Sequence, residues 1–596
     1  MANKFWRKKP IKEFDVEQTM YSLVAEESKK DLDLKATGFL GTDMTYGKLL
    51  ESSDDLAKAF HSMDIKEGDN VAILTISMPL VQQCLLSLSK IGATMSWIDL
   101  RVKEKDLINY INNGNCKAVV VFEDLLPLIE KIADDINAER VIVSSPKDYL
   151  NPVIKTLANL KDKKEGKKIV IPSDNRFVKF TDFMKEGKHT GDVTTADFKI
   201  DRPSLIVQSS GSTGKPKQIV HTERNFNSEI QKMAYVDLPF YKGDTMHISV
   251  PPFIIYGLAN SIYASMAFTM KAEMNPFVDE NTVYNDLGKF DISLAAPLHY
   301  RYIFEQLKTL RGDIDQLQKC NDSKSKQELK KKIKELNRVL KGIERANVFV
   351  SGGDKISSDE LIEMQQMFDT TIVNGYGNNE CLGATIVSPR FANKPGSIGV
   401  PMHGVDTKLV NPETGEEAKE GEMGELYISS DNLFVEYLNN PEETAKIKEI
   451  DQDGKEWVKT GDLCVVDSEG YIVPKGRNRR LIRKDAFKIA PDSIEEVINS
   501  LSYVKECIVV GVDDEKFISV PMAFIEFEKN IEMNDVYADI EEKCSEDLPD
   551  YEIPSYFEQI DEIPYTPNGK YDFRQLEELG NRIVLEKKHK SKIYTK

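Results

Sequence analysis

Nine consecutive residues, Ser209-Ser210-Gly211-Ser212-Thr213-Gly214-Lys215-Pro216-Lys217, carry the strongest local signal for chemistry. Glycines and small side chains let backbone N–H groups turn inward around an anion, the Ser and Thr hydroxyls add donors, and two lysines add charge. That combination suits a phosphate. It is not the G-x-x-x-x-G-K-[ST] loop that opens a helix. LIVQ (205–208) precedes it and QIVH (218–221) follows, so the residues predict a loop joining two strands. A flexible hairpin tip with no ligand has the same composition, and the nine residues alone leave both readings open.

The elements around this loop alternate. VAILTI (71–76) reads as a buried strand, PLVQQCLLSLSKIGA (79–93) as an apolar helix and Thr94–Ile98 as a strand again, with KAVVVF (117–122) and RVIVSS (140–145) repeating the theme. Strands separated by helices imply parallel sheets covered on both faces. From about residue 420 the texture changes to GELYIS, EWVKTGD and GYIVPKGRNR, short strands with Gly- and Asp-rich turns that predict a small antiparallel β unit. After Arg480, SIEEVINSL and VYADIEEKCSEDL read as helices and ECIVVGV and VPMAFIEFE as strands of a compact α+β unit. Ile303, Leu307, Leu310, Ile314 and Leu317, and again Leu329, Ile333, Leu336, Leu340 and Ile343, recur with heptad-like spacing on either side of polar KCNDSKSK (319–326). They predict an antiparallel helical hairpin over 303–343, weakened by Gly312, that either packs on the body or projects from it, as a prong or a homodimer contact.

Of the 596 residues 40% are apolar, enough for a large core, and 98 acidic against 79 basic side chains leave a net charge of −19. Such acidity argues against a general nucleic-acid binder. A few local cations can still receive an anionic small molecule. Seven scattered cysteines with no C-x-x-C pair write neither a zinc site nor a redox motif, and fit reduced thiols in a cytoplasm. The N-terminus is basic without an apolar stretch and does not read as a signal peptide. No Asp, Glu, Lys or Arg lies between Asp244 and Lys271, but Pro251-Pro252, His247, Asn260, Ser261 and Ser265 interrupt the run, so a buried strand and helix are expected rather than a membrane span. The basic KKHKSKIYTK (587–596) reads as a solvated tail, with contact to an anionic membrane as its alternative.

Several motifs in order resemble the adenylate-forming superfamily of acyl-CoA synthetases, luciferases and peptide-synthetase adenylation domains. Ser209–Lys217 is similar to its phosphate loop, Gly352-Gly353 to the segment against adenine, and Asn374-Gly375-Tyr376-Gly377-Asn378-Asn379-Glu380 to its Tyr-Gly-x-Thr-Glu motif. GELYI (424–428), Lys459-Thr460-Gly461-Asp462, Gly476-Arg477 and Pro567-Asn568-Gly569-Lys570 follow in register, so the likeness runs from about 40 to 580. The resemblance implies a large α/β N-terminal domain (1–476) with parallel sheets and a small β unit, and a small mobile α+β C-terminal domain (477–596). It implies that Lys570 bridges the α-phosphate and the substrate carboxylate, that Glu380 ligates Mg²⁺, that Asp462 and Arg477 meet the ribose, and that Asn374 and Tyr376 meet adenine. Arg479 falls at the hinge about which the small domain swings between the two half-reactions. Lys484, Ala486 and Phe487 fall on the loop that would approach CoA, and Phe253, Ile254 and Gly257 on the acyl pocket.

The departures are specific. Asn379 stands where the family usually has Thr against the α-phosphate, Gln218 where it has Gly, Arg479 where it has an acidic residue or Lys, Ala486 where it has Gly, and Ile254 where many relatives have His. An apolar residue at 254 suits a hydrocarbon chain. No Asp in PFIIYGL offers itself to an α-amine, which counts against an amino acid. The expectation is a cytoplasmic AMP-forming carboxylate–CoA ligase that uses ATP, Mg²⁺ and CoA on a fatty or other apolar acid. A stand-alone enzyme loading the phosphopantetheine of a separate carrier protein is the alternative, and a non-catalytic nucleotide-binding partner protein is the remote one.

Overall fold

The computed structural model describes residues 5–166, 169–208, 217–276, 284–354, 356–412, 414–477, 480, 482–484, 487–514, 518–528, 536–548, 552–566 and 571–594. Ser209, Ser210, Gly211, Ser212, Thr213, Gly214, Lys215, Arg479, Ala486 and Lys570 lie outside the described residues, as do the side chains of Arg477 and Phe487. The chain divides into two compact units, Met1–Thr407 with Ile428–Val458, and Lys408–Tyr427 with Lys459–Lys596. This division differs from the boundary expected at 476/477. The reason is a strand, Glu456–Val466, whose second half pairs antiparallel with Ile472–Arg477, so that residues 459–477 stay with the chain that follows them.

The first unit is built on two sheets. One runs in the order Phe177–Lys179, Arg140–Ser144, Cys116–Phe122, Asn70–Leu74, Thr94–Trp97, Pro203–Gln208, Gln218–Thr222, parallel except for the last pair. The other has a parallel centre of Ile372–Asn378, Val348–Gly352, Ile292–Ala295, Thr245–Ile248, Lys271–Met274 and Lys35–Phe39, with antiparallel strands at both edges. Valine-rich strands such as Cys116–Phe122 are buried almost throughout, as a sheet with helices on both faces requires. Helix Leu80–Ile91 stops at Gly92, whose φ of 79° is the left-handed cap that a side chain would strain. The uncharged run after Asp244 becomes strand Thr245–Ile248, π-helix Tyr256–Tyr263 continuing as Ala264–Ala267, and strand Lys271–Met274. Among the described residues no helix is long and apolar enough to cross a membrane.

The heptad-like stripes form the expected hairpin. Its helices are Pro297–Gln318, uninterrupted by Gly312, and Ser323–Arg345. The root is packed: Ile303 and Leu307 of the first helix meet Val339 and Ile343 of the second in a cluster with Phe349 and Phe368. The tip is not, since no residue from Asp315 to Arg338 is buried. The periodicity is the same along the whole stripe, but only the half that meets the sheet is covered.

In the second unit, strands run in the order Phe487–Ile489, Ile482–Lys484, Ile518–Phe527, Val504–Asp514, with Tyr556–Gln559 parallel to Ile518–Phe527. Alternate residues separate two cores. Cys507, Val509, Ala523 and Ile525 face helices Pro491–Asn499 and Val536–Asp547, whereas Ile508, Val510, Met522 and Phe524 face the helix that begins at Phe573.

The hairpin's uneven burial gives a direct test. Ile343→Ala at the root should cost about 2–5 kcal/mol of unfolding free energy by cavity formation. Ile333→Ala on the tip, where the side chain is 38% exposed, should change it by less than about 0.5 kcal/mol. Chemical-denaturation midpoints of the two variants check this.

Candidate active site

Strand Pro203–Gln208 enters the glycine-rich loop and Gln218–Thr222 leaves it, with Gln208 opposite Gln218. Lys217 therefore stands at the return end. Its ammonium lies 2.5 Å from Glu443 Oε2 and 4.6 Å from the centre of the Tyr437 ring. Lys217 and, secondarily, Lys446 hold the Glu443 carboxyl down at about 2. The Gln218 side chain, placed where a glycine was the expectation, is buried: its amide donates to Tyr110 O (3.2 Å) and accepts from Asn113 (2.6 Å). It ties the loop's exit to the end of helix Glu104–Asn113.

Glu380 is reached from the same direction. The Tyr437 hydroxyl donates to Glu380 Oε1 at 2.8 Å, and the Phe434 N–H donates to the Glu380 carbonyl at 2.7 Å. Lys217, Tyr437 and Glu380 thus form a continuous cation, phenol and carboxylate series beside the loop. The turn that carries Glu380 is closed tightly. A Cβ on Gly377 would lie 1.7 Å from Gly383 O, Leu382 is held at φ 49°, and Gly383 at φ 112°. A left-handed leucine costs energy that its surroundings must supply, a feature concentrated at functional turns.

Asn379 has two roles here. Its carbonyl accepts from His221 Nε2 at 2.7 Å, and its amide donates to Gln208 O at 3.2 Å, the last strand residue before the glycine-rich loop. His221 is completely buried, and burial pushes its pKa from 6.5 down to about 4, so the ring is neutral and Nε2 carries the proton. Asn374 lies opposite Ser351, and Gly352 opposite Gly375, so two of the expected nucleotide segments are adjacent strands. The Asn374 amide donates to Ser397 O at 3.2 Å. Gly353 has φ 86°. Tyr376 is half-buried, and a Cβ on Gly352 would come 3.2 Å from the Tyr256 ring, so glycine at 352 leaves room for that ring.

Of the expected acyl-pocket residues, Phe253 lies under the Arg101 guanidinium (5.3 Å to the ring centre) and Ile254 is 37% exposed. Gly257 acts through its backbone: a Cβ there would be 2.5 Å from the carbonyls of Val250 and Pro251, so glycine permits the close start of helix Tyr256–Tyr263.

Glu229 belongs to no motif that the sequence displays. This fully buried carboxylate accepts from Asn260 (2.6 Å), Asn432 (2.8 Å), Lys232 (2.8 Å) and the backbone of Ala384. Asn432 also donates to Cys381 O at 2.6 Å. Glu229 therefore joins helix Glu223–Met233, the helix beginning at Tyr256 and the Glu380 turn. Nothing in ERNFNSEIQKM, whose two glutamates Glu223 and Glu229 are both buried, marks either of them so. Tyr437 was equally silent.

In the second unit Asp462 and Arg477 are register neighbours on antiparallel strands. The Asp462 N–H donates to Thr460 Oγ1 (3.1 Å), Thr460 Oγ1 to Leu426 O (2.8 Å), and Gly461 N–H to Glu425 (3.0 Å), so GELY and KTGD are held together as well. Lys484 pairs with Phe487 across a short hairpin.

The sequence pattern of the AMP-binding enzyme family matches residues 24–438, and that of the AMP-binding enzyme C-terminal domain matches 493–570. The chain belongs to the AMP-binding enzyme family. This AMP-binding enzyme is 24% identical over 577 residues to the long-chain-fatty-acid–CoA ligase of Bacillus subtilis, covering 95% of this chain and 96% of that one. Its fold is that of ATP-bound MatB from Rhodopseudomonas palustris (TM-score 0.77, 20% identity, 94% and 99% covered). It is also that of the anthranilate CoA ligase AuaEII with anthranoyl-AMP (0.76, 19%, 96% and 99%). The α/β class expected from the sequence and the ATP-dependent adenylate-forming family both stand.

His221 makes stability pH-dependent with a definite sign. Its contribution is complete above about pH 6.5 and declines as the pH falls toward 4, because the unfolded chain takes a proton the folded one refuses. At pH 5 this one histidine costs about 2 kcal/mol. Unfolding free energies at pH 7 and pH 5 should therefore differ by about 2 kcal/mol less in His221→Gln than in the parent.

Proposed function

We propose that this AMP-binding enzyme is an AMP-forming carboxylate–CoA ligase acting on a fatty or other apolar acid. The observation that carries the reading is the Lys217–Tyr437–Glu380 series at the exit of the glycine-rich loop. In the first half-reaction a carboxylate oxygen of the acid attacks the α-phosphorus of ATP and pyrophosphate leaves. In the second, a thiol sulfur attacks the acyl carbonyl, and AMP departs with the electrons of the acyl–phosphate bond. Both reactants of the first step are anions, so fixed positive charge around the α-phosphate lowers the barrier.

Lys217 supplies such charge at the loop's exit. Lys570 takes the position between the carboxylate and the α-phosphate, and Asp462 with Arg477 holds the ribose. Adenine lies along Gly352, Gly353, Asn374 and Tyr376, with Ser209–Lys215 around the phosphates. Glu380 fits a magnesium ligand. One carboxylate oxygen is held by Tyr437, the other takes no hydrogen bond among the described residues, and no cluster of three metal-binding side chains occurs among them. That donor set suits Mg²⁺, which keeps water and phosphate as its remaining ligands. Bound there, Mg²⁺ would neutralise charge on the phosphate oxygens. Tyr437 fixes which way the Glu380 carboxylate faces.

The small C-terminal domain, hinged at Arg479, would withdraw Lys570 after adenylation and bring the loop with Lys484, Ala486 and Phe487 to the thiol. The apolar-acid reading is supported by partly exposed Ile254 beside Phe253 and by the name of the Bacillus subtilis relative.

Pyrophosphate release measured over a panel of acids, with CoA or with a carrier protein, tests the proposal. Release with long apolar acids and thioester formed on CoA supports it. Release completed only on a carrier overturns the CoA half, and no release with any acid overturns the whole. Lys570→Ala should abolish adenylation yet spare thioester formation from supplied acyl-AMP, which separates the two half-reactions. Tyr437→Phe should raise the Mg²⁺ concentration for half-maximal pyrophosphate release by about 10-fold or more, as loss of a partner to a metal ligand does.

A further inference from the structure

The second helix of the 297–345 hairpin is out of keeping with the rest of the molecule. Between Ser323 and Arg345 it carries nine Lys or Arg and three Glu, a surplus of six positive charges in a chain whose total is −19. The charges are sorted by face. Lys330, Lys334 and Lys341 follow one another at helical spacing, on the side away from Leu336, Val339 and Ile343, which join the cluster at the hairpin root. Lys324, Lys326, Lys330, Lys334 and Lys341 are exposed and make no ion pair among the described residues. The other cations on this helix are engaged: Lys332 with Asp313 (2.9 Å), Lys331 with Glu328 (3.7 Å), Arg345 with Asp291 (3.1 Å), and Arg338 over the Tyr284 ring (5.5 Å). Like charges three and four residues apart repel along a helix, so this face gains nothing for folding from its own composition.

The charged stretch also stands away from its unit. The last buried residue of the first helix is Ile314 and the first of the second is Val339. From Val339 to the helix start the arm is about 25 Å long at 1.5 Å per residue. The Debye length at physiological salt is about 8 Å. The acidic surplus of the remaining chain is therefore screened at the tip, and an anion approaching the prong meets its cations first.

We propose that this prong is an electrostatic docking element for the anionic phospholipid surface of a membrane, with the lysine face of the second helix against the headgroups. Ile333 is the one large apolar side chain exposed on this helix, among the described residues, and a single aliphatic among lysines is far from the apolar cluster that protein partners bury at an interface core. A bilayer needs no pocket, because it presents a plane of phosphates to which each nearby Lys contributes separately. Val339 and Ile343 of the apolar stripe are committed to the hairpin root and only Ile333 of the tip is exposed, so the contact is peripheral and salt-sensitive rather than inserted. The inference is independent of which acid the enzyme activates.

Sedimentation of the full chain with vesicles tests it. Binding is expected to vesicles of phosphatidylcholine with about 30% phosphatidylglycerol and not to phosphatidylcholine alone, and is expected to vanish at about 0.5 M salt. Replacing Lys324, Lys326, Lys330, Lys334 and Lys341 together by Gln should weaken it at least about 10-fold. The same variant should keep its thermal midpoint and its vesicle-free pyrophosphate release. A control with the exposed Lys48, Lys66, Lys105, Lys161 and Lys188 changed to Gln should bind like the parent. The proposal is overturned by no binding to anionic vesicles, by binding that the five-site prong variant retains, or by equal loss in the control. It is also overturned if the prong lysines retain duplex DNA while vesicles are ignored.

Discussion

A carboxylate with no access to water must be surrounded by donors, and Glu229 is so surrounded. Burial alone would drive it to take up a proton; Lys232, Asn260, Asn432 and the backbone at Ala384 oppose that by each offering a hydrogen or a charge. Because those donors come from separate stretches of chain, satisfying one buried anion fixes their mutual positions. The turn bearing Glu380 is one of those stretches. Its left-handed Leu382 and the contact between Gly377 and Gly383 are tolerable only where the neighbouring backbone is already held.

The same logic extends outward in a second layer. His221 reaches the Asn379 carbonyl from the strand that leaves the glycine-rich loop, and Asn379 reaches back to Gln208 on the strand that enters it. The strands flanking the loop and the turn are therefore tied to one another through uncharged groups, of which His221 is fully buried, while Lys217 at the loop's exit pairs with Glu443.

Much of this was legible in the residues, for identifiable reasons. Valine-rich runs such as KAVVVF can be little else than strands in a covered sheet, and the repeated leucine spacing of 303–343 can be little else than two packed helices. What the pattern could not say was where packing stops, because Leu329 and Ile343 obey the same period while only Ile343 has a sheet beneath it. Glu229 escaped because a glutamate in a polar helix ordinarily faces solvent, and its partners Asn260 and Asn432 lie far along the chain. The unit boundary escaped because composition cannot reveal that a strand beginning at Glu456 will pair with one ending at Arg477. Gln218 shows the reverse case: a departure visible in the sequence whose purpose, anchoring the loop's exit to residues 110 and 113, required the fold.

The hairpin's connection has a practical side. All seven cysteines are free, six of them are buried, and the exception, Cys320, sits in the link between the two helices. Burial pushes the enclosed thiols at 84, 116, 381, 464, 507 and 544 up, which withholds the reactive thiolate from solution. The chain thus arrives with one exposed thiol, in the link at the tip of the hairpin. A single environment-sensitive dye attached there, with no cysteine removed, would report what the tip of the prong encounters.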